Sequence, residues 1–320
     1  MYENIISLHN LFAAWEEFIN GKKTRKDIAE FSLNLSQNIF QLHEDLLSKI
    51  YKHSSYQAFN ISDPKPRNIH KATVRDRLLH HAIYRQLYPH FDTKFIHDSC
   101  SCRKGKGTHR AIKRLQKFGR KVSKNNTKTC LVLKCDVRKF FPSIDHDILL
   151  GILMKHDLDT DTVNLLWEII ESFCTTKNDI GLPLGNLTSQ LLVNIYMNEF
   201  DHYMKHTLKT KYYIRYADDF VILSDNKSYL EMLLSKVGWF LSSKLYLDLH
   251  PDKVYIKTLA SGVDFLGWVH FPDHLVLRTA TKRRMFKKLE AANYKKEVLE
   301  SYLGLLSHGN TKKLQRFIQK

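Results

Sequence analysis

Glycine and proline are scarce in this 320-residue chain, at 12 and 7 residues. Their scarcity excludes collagen-like and Pro/Gly-rich low-complexity architectures. No segment repeats internally. No apolar run reaches the roughly 18 residues of a membrane-spanning helix, and no leader pattern opens the chain, so neither a membrane span nor secretion is expected. Cysteine is sparse and odd in number: Cys100, Cys102, Cys130, Cys135 and Cys174. Such a set is no disulfide framework and points to reduced thiols in a cytoplasm-like compartment. Cys100 and Cys102 form C-x-C, but no second Cys/His pair at zinc spacing follows, so no structural zinc is expected. Acidic residues are missing from one long stretch. From Arg103 to Lys134 there are 12 Lys+Arg and no Asp or Glu.

What is present is apolar residues and positive charge. Hydrophobic residues make up 43% of the chain, enough for a sizeable core in one large or two to three packed subdomains. Lys and Arg number 50 against 33 Asp and Glu, a formal net charge of +17. A second basic block, Arg278 to Lys320, holds 12 Lys+Arg and 3 acids, whereas residues 1–60 are near neutral with 6 and 7. Two separated basic blocks suit an extended polyanion such as nucleic acid; taken singly, each also reads as a solvated helix face.

Apolar spacings of three and four predict helices over residues 1–55 and over "ATVRDRLLHHAIYRQLYPHF". "YQAFNISDPKPRNIH" reads as a hairpin turning at Asp63-Pro64-Lys65-Pro66, and "TCLVLKCDV" as a buried strand. "DTDTVNLLWEIIESFC" has the Asp/Thr start of a helix. The Gly/Pro loop "IGLPLGNLTSQ" leads into the helix "LLVNIYMNEFDHYM". "YIRYADDFVIL" alternates around a tight turn as a β-hairpin. A further helix, the strand "KVYIK", a hairpin in "GVDFLGWVHFPDHLVLR" turning at Pro272-Asp273, and a basic helical end follow. Interspersed strands and helices indicate an α/β or α+β core.

Asp136 ends one apolar strand, and Asp218-Asp219 occupy the turn of the hairpin. If these elements share a sheet, three carboxylates meet at its edge, and like charges raise one another's pKa. An Asp-Asp dipeptide alone is most cheaply a surface turn. Its apolar flanks and a basic protein around it favour a different account. Divalent cations relieve the repulsion, and Mg²⁺ takes hard oxygen ligands while leaving positions for phosphate. Two such ions can activate a 3′-hydroxyl and stabilise departing pyrophosphate. A basic protein with such a carboxylate cluster is therefore a candidate nucleotidyl transferase.

At these residues the chain resembles prokaryotic reverse transcriptases. "RYADDFVIL" looks like their catalytic hairpin, "LKCDVRKFFPSI" their first aspartate motif, and "LPLGNLTSQ" their nucleotide-pocket motif. "KPRNIHKATVRDRLLHHAIYRQL" and "FIHDSCSCRKGKGTHRAI" resemble fingers motifs; "LHPDKVYI" and "VDFLGWVH" resemble the following palm and primer-grip motifs. The resemblance spans about residues 58–271 in the correct order. Leu184 before Gly185, the ending Ser189-Gln190 and "CRKGKGT" resemble the group II intron-like enzymes of diversity-generating retroelements.

The resemblance implies an α+β right-hand polymerase fold with fingers, a palm of antiparallel sheet with packed helices, and a short helical thumb. Expected boundaries are 1–55 for an N-terminal helical extension, 56–130 for fingers, 131–275 for palm (with fingers–palm elements around 160–190) and 276–320 for thumb. Asp136 and Asp218 would bind two Mg²⁺ (or Mn²⁺) ions, completed by the Val137 carbonyl, with Asp219 a conditional ligand. Lys253 would protonate pyrophosphate, with a surface lysine as the alternative. Phe141 would stack under the sugar and exclude a 2′-hydroxyl, although Phe140 or Phe141 also suits a core. Arg67 and Arg75 would contact the triphosphate, Arg75 alternatively serving a structural pair. Leu184, Gly185 and Gln190 would line the nucleotide pocket; Arg103, Lys104, Lys106, Gly267 and Trp268 would contact nucleic acid. Implied partners are dNTPs, a template-repeat RNA with its cDNA, and a small basic oligomeric accessory protein, in a bacterial, archaeal or phage-infected cytoplasm. A defence-type or retron-like polymerase and a catalytically dead RNA binder are the competing readings. About 45 residues follow the primer-grip hairpin, so no RNase H, maturase or endonuclease domain is expected.

Overall fold

The computed structural model describes residues 1–62, 66–175 and 179–319, so the turn expected at Asp63-Pro64-Lys65 lies outside the described residues. Helices α1 (Tyr2–Ile6), α2 (Leu8–Ile19), α3 (Lys26–Leu33) and α4 (Leu35–Leu47) precede strands β1 (Gln57–Ile61) and β2 (Arg67–Lys71). Helices α5 (Val74–Asp92) and α6 (Thr108–Val122) lead to β3 (Leu131–Asp136). Next come α7 (His146–Met154), α8 (Thr160–Glu171) and α9 (Leu187–His202), then β4 (Tyr213–Tyr216), β5 (Asp219–Ser224) and α10 (Lys227–Lys244). Strands β6 (Tyr255–Thr258), β7 (Val263–Phe265), β8 (Trp268–His270) and β9 (Leu275–Leu277) precede α11 (Thr279–Ala291), α12 (Lys296–Leu306) and α13 (Lys312–Ile318). Among the described residues no helix is long and apolar enough to cross a membrane.

The chain divides into two units. One comprises Met1–Ile96, Arg138–His202 and Phe240–Leu247; the other His97–Val137, Tyr203–Trp239 and Asp248–Lys320. The first is mainly helical. Leu11, Ala14, Trp15 and Phe18, spaced by three and four, form the buried stripe of α2. That stripe faces α5, which also packs on α1, α3 and α9. Caps set helix starts: Asp159 accepts from Thr162 N at 2.9 Å to open α8, and Asp145 from Ile148 N at 2.9 Å to open α7. Helix α9 begins at Leu187, so Thr188, Ser189 and Gln190 belong to its first turn rather than to the loop expected there.

Strands β1 and β2 pair antiparallel with Phe59 opposite Ile69. The loop before α9 is fastened to β2: His70 N donates to Leu184 O at 3.0 Å, and Asn186 Nδ2 donates to His70 O at 3.0 Å. Gly185 sits between these bonds at φ +113°, where an added Cβ would lie 2.9 Å from Ile69 Cγ2. Gly185→Ala therefore combines backbone strain with a clash, and is expected to destabilise the chain by about 1–2 kcal/mol. A thermal melt equal to wild type would contradict this.

In the second unit the sheet order is β4-β5-β3-β6, with every pairing antiparallel. Helix α6 packs on β4 and β5, burying Ala111, Leu115 and Phe118 with Val132, Ile214 and Val221. "GVDFLGWVHFPDHLVLR" forms a three-stranded meander, β7-β8-β9, rather than one hairpin. Its extra turn is Leu266-Gly267, at φ +54° and +84°. A two-residue hairpin turn of this hand requires positive φ at both positions. The basic C-terminal helices close a second core over Trp268, Leu275, Met285, Leu289 and Leu306.

Candidate active site

The carboxylates gather because β3 and β5 are neighbours and end together. Asp136 is the last residue of β3, directly opposite Asp219, the first residue of β5. Asp219 also pairs with Tyr216, so the turn proper is Ala217-Asp218 and Asp219 lies in the strand. The site is thus at the ends of the two central strands, not at the sheet edge. Ala217 takes φ +56°, a left-handed conformation that tightens the turn. The turn is tied to β3 because Val137 N donates to Asp218 O at 3.0 Å. His250 N donates to Asp136 O at 2.8 Å, which brings the following 3₁₀ turn, Pro251–Lys253, against the same strand end.

Two lysines answer the carboxylates. Lys253 Nζ donates to Asp136 Oδ1 at 2.8 Å. Lys134 Nζ donates to Asp219 Oδ1 at 2.5 Å and lies 5.9 Å from the centroid of the Phe265 ring. Only 7% of Lys134 is exposed. Burial is the chief cause that raises the Asp218 carboxyl above its usual range, and the Asp136 charge raises it further. Burial likewise pushes Asp219 up to about 7, against the pull of Lys134. Three carboxylates facing two ammonium groups leave the cluster with excess negative charge and a desolvation cost. Hard oxygen donors in that condition fit a divalent cation. Among the described residues, no three His, Cys, Asp or Glu side chains converge on a single cation position. Lys253 and Lys134 instead each hold one of the carboxylates.

Asp136, Val137, Asp218, Asp219 and Lys253 are therefore brought together. Arg103 and Lys106 are tied into their own loop: Arg103 Nη1 donates to Ser99 O at 3.1 Å and Lys106 Nζ to His97 O at 2.6 Å. Lys104 is exposed. Gly267 forms the β7–β8 turn. Trp268, expected at a nucleic-acid surface, is instead 1% exposed in the core that it shares with Met285 and Leu306.

The remaining candidates belong to the first unit. Gly185 and Gln190 line a cavity of about 410 Å³ shared with Ile69 and the basic side chains of Lys22, Lys71 and Arg77. Like charges and burial lower the Lys22 pKa, burial being the larger cause. Arg67 is exposed on β2. Arg75 is engaged elsewhere, its Nη2 2.5 Å from Asp45 Oδ2 and its guanidinium 4.7 Å from the Tyr51 ring centroid. Phe140 is buried, whereas Phe141 is partly exposed and its carbonyl accepts from Leu182 N at 2.9 Å.

The residues missed from sequence were Lys134 and, behind the turn, Arg215, which donates to Ala217 O at 3.1 Å, and Ser99, whose Oγ accepts from Arg215 at 3.0 Å. The first two had a signal: each is a cation inside an apolar strand run, and Lys134 stands two residues before Asp136, hence on its face. Ser99 had none.

The family described as Reverse transcriptase (RNA-dependent DNA polymerase) matches residues 50–270. Protein YkfC of Escherichia coli K12 is 26% identical over 268 residues, 71% of this chain and 69% of that protein. Group II intron-encoded protein LtrA of Lactococcus lactis is 22% identical over 291 residues, covering 70% of this chain and 47% of LtrA. An apo telomerase from Candida tropicalis, truncated from its C-terminal domain, superposes with TM-score 0.53 at 12% identity, covering 74% of this chain and 59% of that one. This chain thus spans less than two thirds of LtrA and of the telomerase. The structural likeness is one of fold, the right-hand polymerase fold. Because the family match runs through the β3 aspartate, the Leu184 loop, the β4–β5 turn and the β7–β8 turn, the chain belongs to the reverse transcriptase (RNA-dependent DNA polymerase) family.

Proposed function

We propose that this chain is an RNA-directed DNA polymerase of a diversity-generating retroelement, copying a template-repeat RNA into cDNA with errors at template adenines. The observation that carries the polymerase reading is the pairing of Asp136 with Asp219 beside the Asp218 turn. In this reading the β4-β5-β3-β6 sheet is the palm, the β1–β2 hairpin belongs to the fingers, and α11–α13 make the thumb. Asp136 and Asp218 hold the divalent ions, Mg²⁺ in the cell, with the Val137 carbonyl as a further donor. Asp219, held by Lys134, is a conditional ligand. Bound there, the ions would supply activation of a primer 3′-hydroxyl and neutralise charge on pyrophosphate. Lys253 hands a proton to the leaving group, a reading supported by its hydrogen bond to Asp136. Phe141 stacks under the sugar, and Arg67 meets the triphosphate. Arg103, Lys104 and Lys106 add positive charge for the nucleic-acid backbone.

The retroelement assignment rests on Leu184. A glutamine there would hydrogen-bond around the nucleotide; leucine cannot, so mispaired geometry is tolerated. The near-neutral N-terminal helices present exposed Phe40 and Leu47, seven residues apart on α4, and exposed Leu33 at the end of α3, apolar surface suited to the accessory helical protein. Primer extension on RNA templates with dNTPs and Mg²⁺ tests the activity; absence of incorporation on every template would refute it. For fidelity, Leu184→Gln is expected to lower misincorporation opposite adenine about tenfold, the scale of a lost or gained pocket hydrogen bond, with little change opposite the other bases. An unchanged adenine error rate would sink the retroelement reading and leave the polymerase standing.

A further inference from the structure

We infer that Arg215 and Ser99 are positioning residues that aim the Asp218 carboxylate, an inference that rests on the metal-dependent polymerase reading above. Arg215 lies on β4 and is 0% exposed. A guanidinium withdrawn from water must spend its donors on protein. Nη1 donates to Ala217 O at 3.1 Å, and Nη2 to Ser99 Oγ at 3.0 Å. Ala217 is the left-handed residue immediately before Asp218. The fork therefore grips the peptide that a Cβ-bearing residue would otherwise be free to relax.

The other end of the fork is fixed. Residues 98–100 run beside β4: Arg215 N donates to Asp98 O at 3.0 Å, Cys100 N donates to Arg215 O at 2.9 Å, and Ser99 bridges Arg215 in parallel. This covers the exposed edge of β4. Asp98 is itself clamped by Arg114, Nε to Oδ1 at 2.7 Å and Nη2 to Oδ2 at 3.0 Å. Asp218 follows Ala217, and its own carbonyl accepts from Val137 N at 3.0 Å. The carbonyls of Ala217 and Asp218 are thus both held, one from the strap at 98–100 and one from β3. With the peptides on either side of its Cα fixed, the Cα–Cβ bond of Asp218 has a fixed direction, which limits the rotamers that bring its carboxylate beside Asp136. Arg215 reaches the turn through the Ala217 carbonyl.

Ser99→Ala and Arg215→Lys separate this role from general stability. Ser99→Ala removes one anchor of the fork at little cost in volume, and Arg215→Lys keeps the charge but not the two-point geometry. Mn²⁺ binding to the protein without RNA or dNTP, read from the electron paramagnetic resonance of free Mn²⁺, is expected to weaken about tenfold in each variant, the scale for groups that orient a metal ligand. kcat should fall with unchanged KM for dNTP, and excess Mn²⁺ should restore part of it. Should Arg215→Lys not fold, Ser99→Ala carries the test, with its melting temperature as control. Wild-type Mn²⁺ affinity in folded variants would overturn the positioning role alone. Wild-type protein that binds no Mn²⁺ would overturn the metal-dependent reading and this inference with it.

Discussion

Replacing Asp218 by asparagine leaves a folded protein that has lost about a thousandfold or more of its RNA-templated DNA synthesis, roughly 4 kcal/mol of transition-state stabilisation. The two halves of this expectation have one cause. Asp218 is half-buried beside Asp136, and both facts raise its carboxyl pKa. Holding that charge costs the folded state; an amide of the same shape removes the cost and keeps a hydrogen-bonding oxygen. The variant should therefore melt at or above the wild-type temperature, the trade between stability and activity expected at a functional site. Its amide is a poor ligand for a hard cation, so synthesis should be lost even at raised Mg²⁺. Single-turnover primer extension beside a thermal melt decides the matter. Activity within tenfold of wild type would remove Asp218 from the chemistry. A lowered melting temperature with proportional loss would make it a structural residue. Asp136→Asn should lose as much synthesis, but it also strands Lys253, so its melting temperature should not rise.

Much of this site could be read from local pattern. The run before Asp136 is apolar because β3 is central and buried on both faces, and the YADD turn shows itself because apolar strands flank it. Helix α8 announces its start because an aspartate cap is a local device. What escaped depends on contacts distant in sequence. Trp268 looks the same in sequence whether it faces nucleic acid or Met285. Arg75 has the chemistry for a phosphate, and only the fold brings Asp45 to it, thirty residues away in the chain. The extra β-turn was missed because Leu266-Gly267 carries one glycine where a proline-aspartate pair downstream offered a stronger signal. Lys134 and Arg215 were visible as charges in strands, but their partners Asp219 and Ser99 are known only once β3 meets β5 and residues 98–100 lie along β4.

Acid will destabilise the chain at pH values where most of its carboxylates are still ionised, and His80 is a main reason. Its imidazole is 1% exposed on α5. Its Nε2 faces His53 Nε2 at 3.2 Å, and its Nδ1 has no hydrogen-bond partner. A protonated ring carries two donors, and only one here has an acceptor, which His53 supplies only while neutral. Burial is the main cause, with the neighbouring His53 next, of a pKa lowered from 6.5 to about 3; Asp76 opposes the shift without cancelling it. A folded-state value below the unfolded one means that the unfolded chain takes the proton first. The stability tied to neutral His80 is thus complete above pH 6.5 and is lost progressively as pH falls from there towards 3. At pH 5 the loss is about 2 kcal/mol, and near pH 3 it exceeds about 4 kcal/mol. Burial lowers His81, on the same helix, to about 4, which steepens the decline. Urea unfolding at pH 7 and pH 5 for wild type and His80→Gln measures the effect. Glutamine keeps one polar terminus towards His53 but does not titrate, so the variant should start less stable at pH 7 and lose about 2 kcal/mol less than wild type between the two conditions. Equal losses in both proteins would show that His80 is not the group that resists the proton.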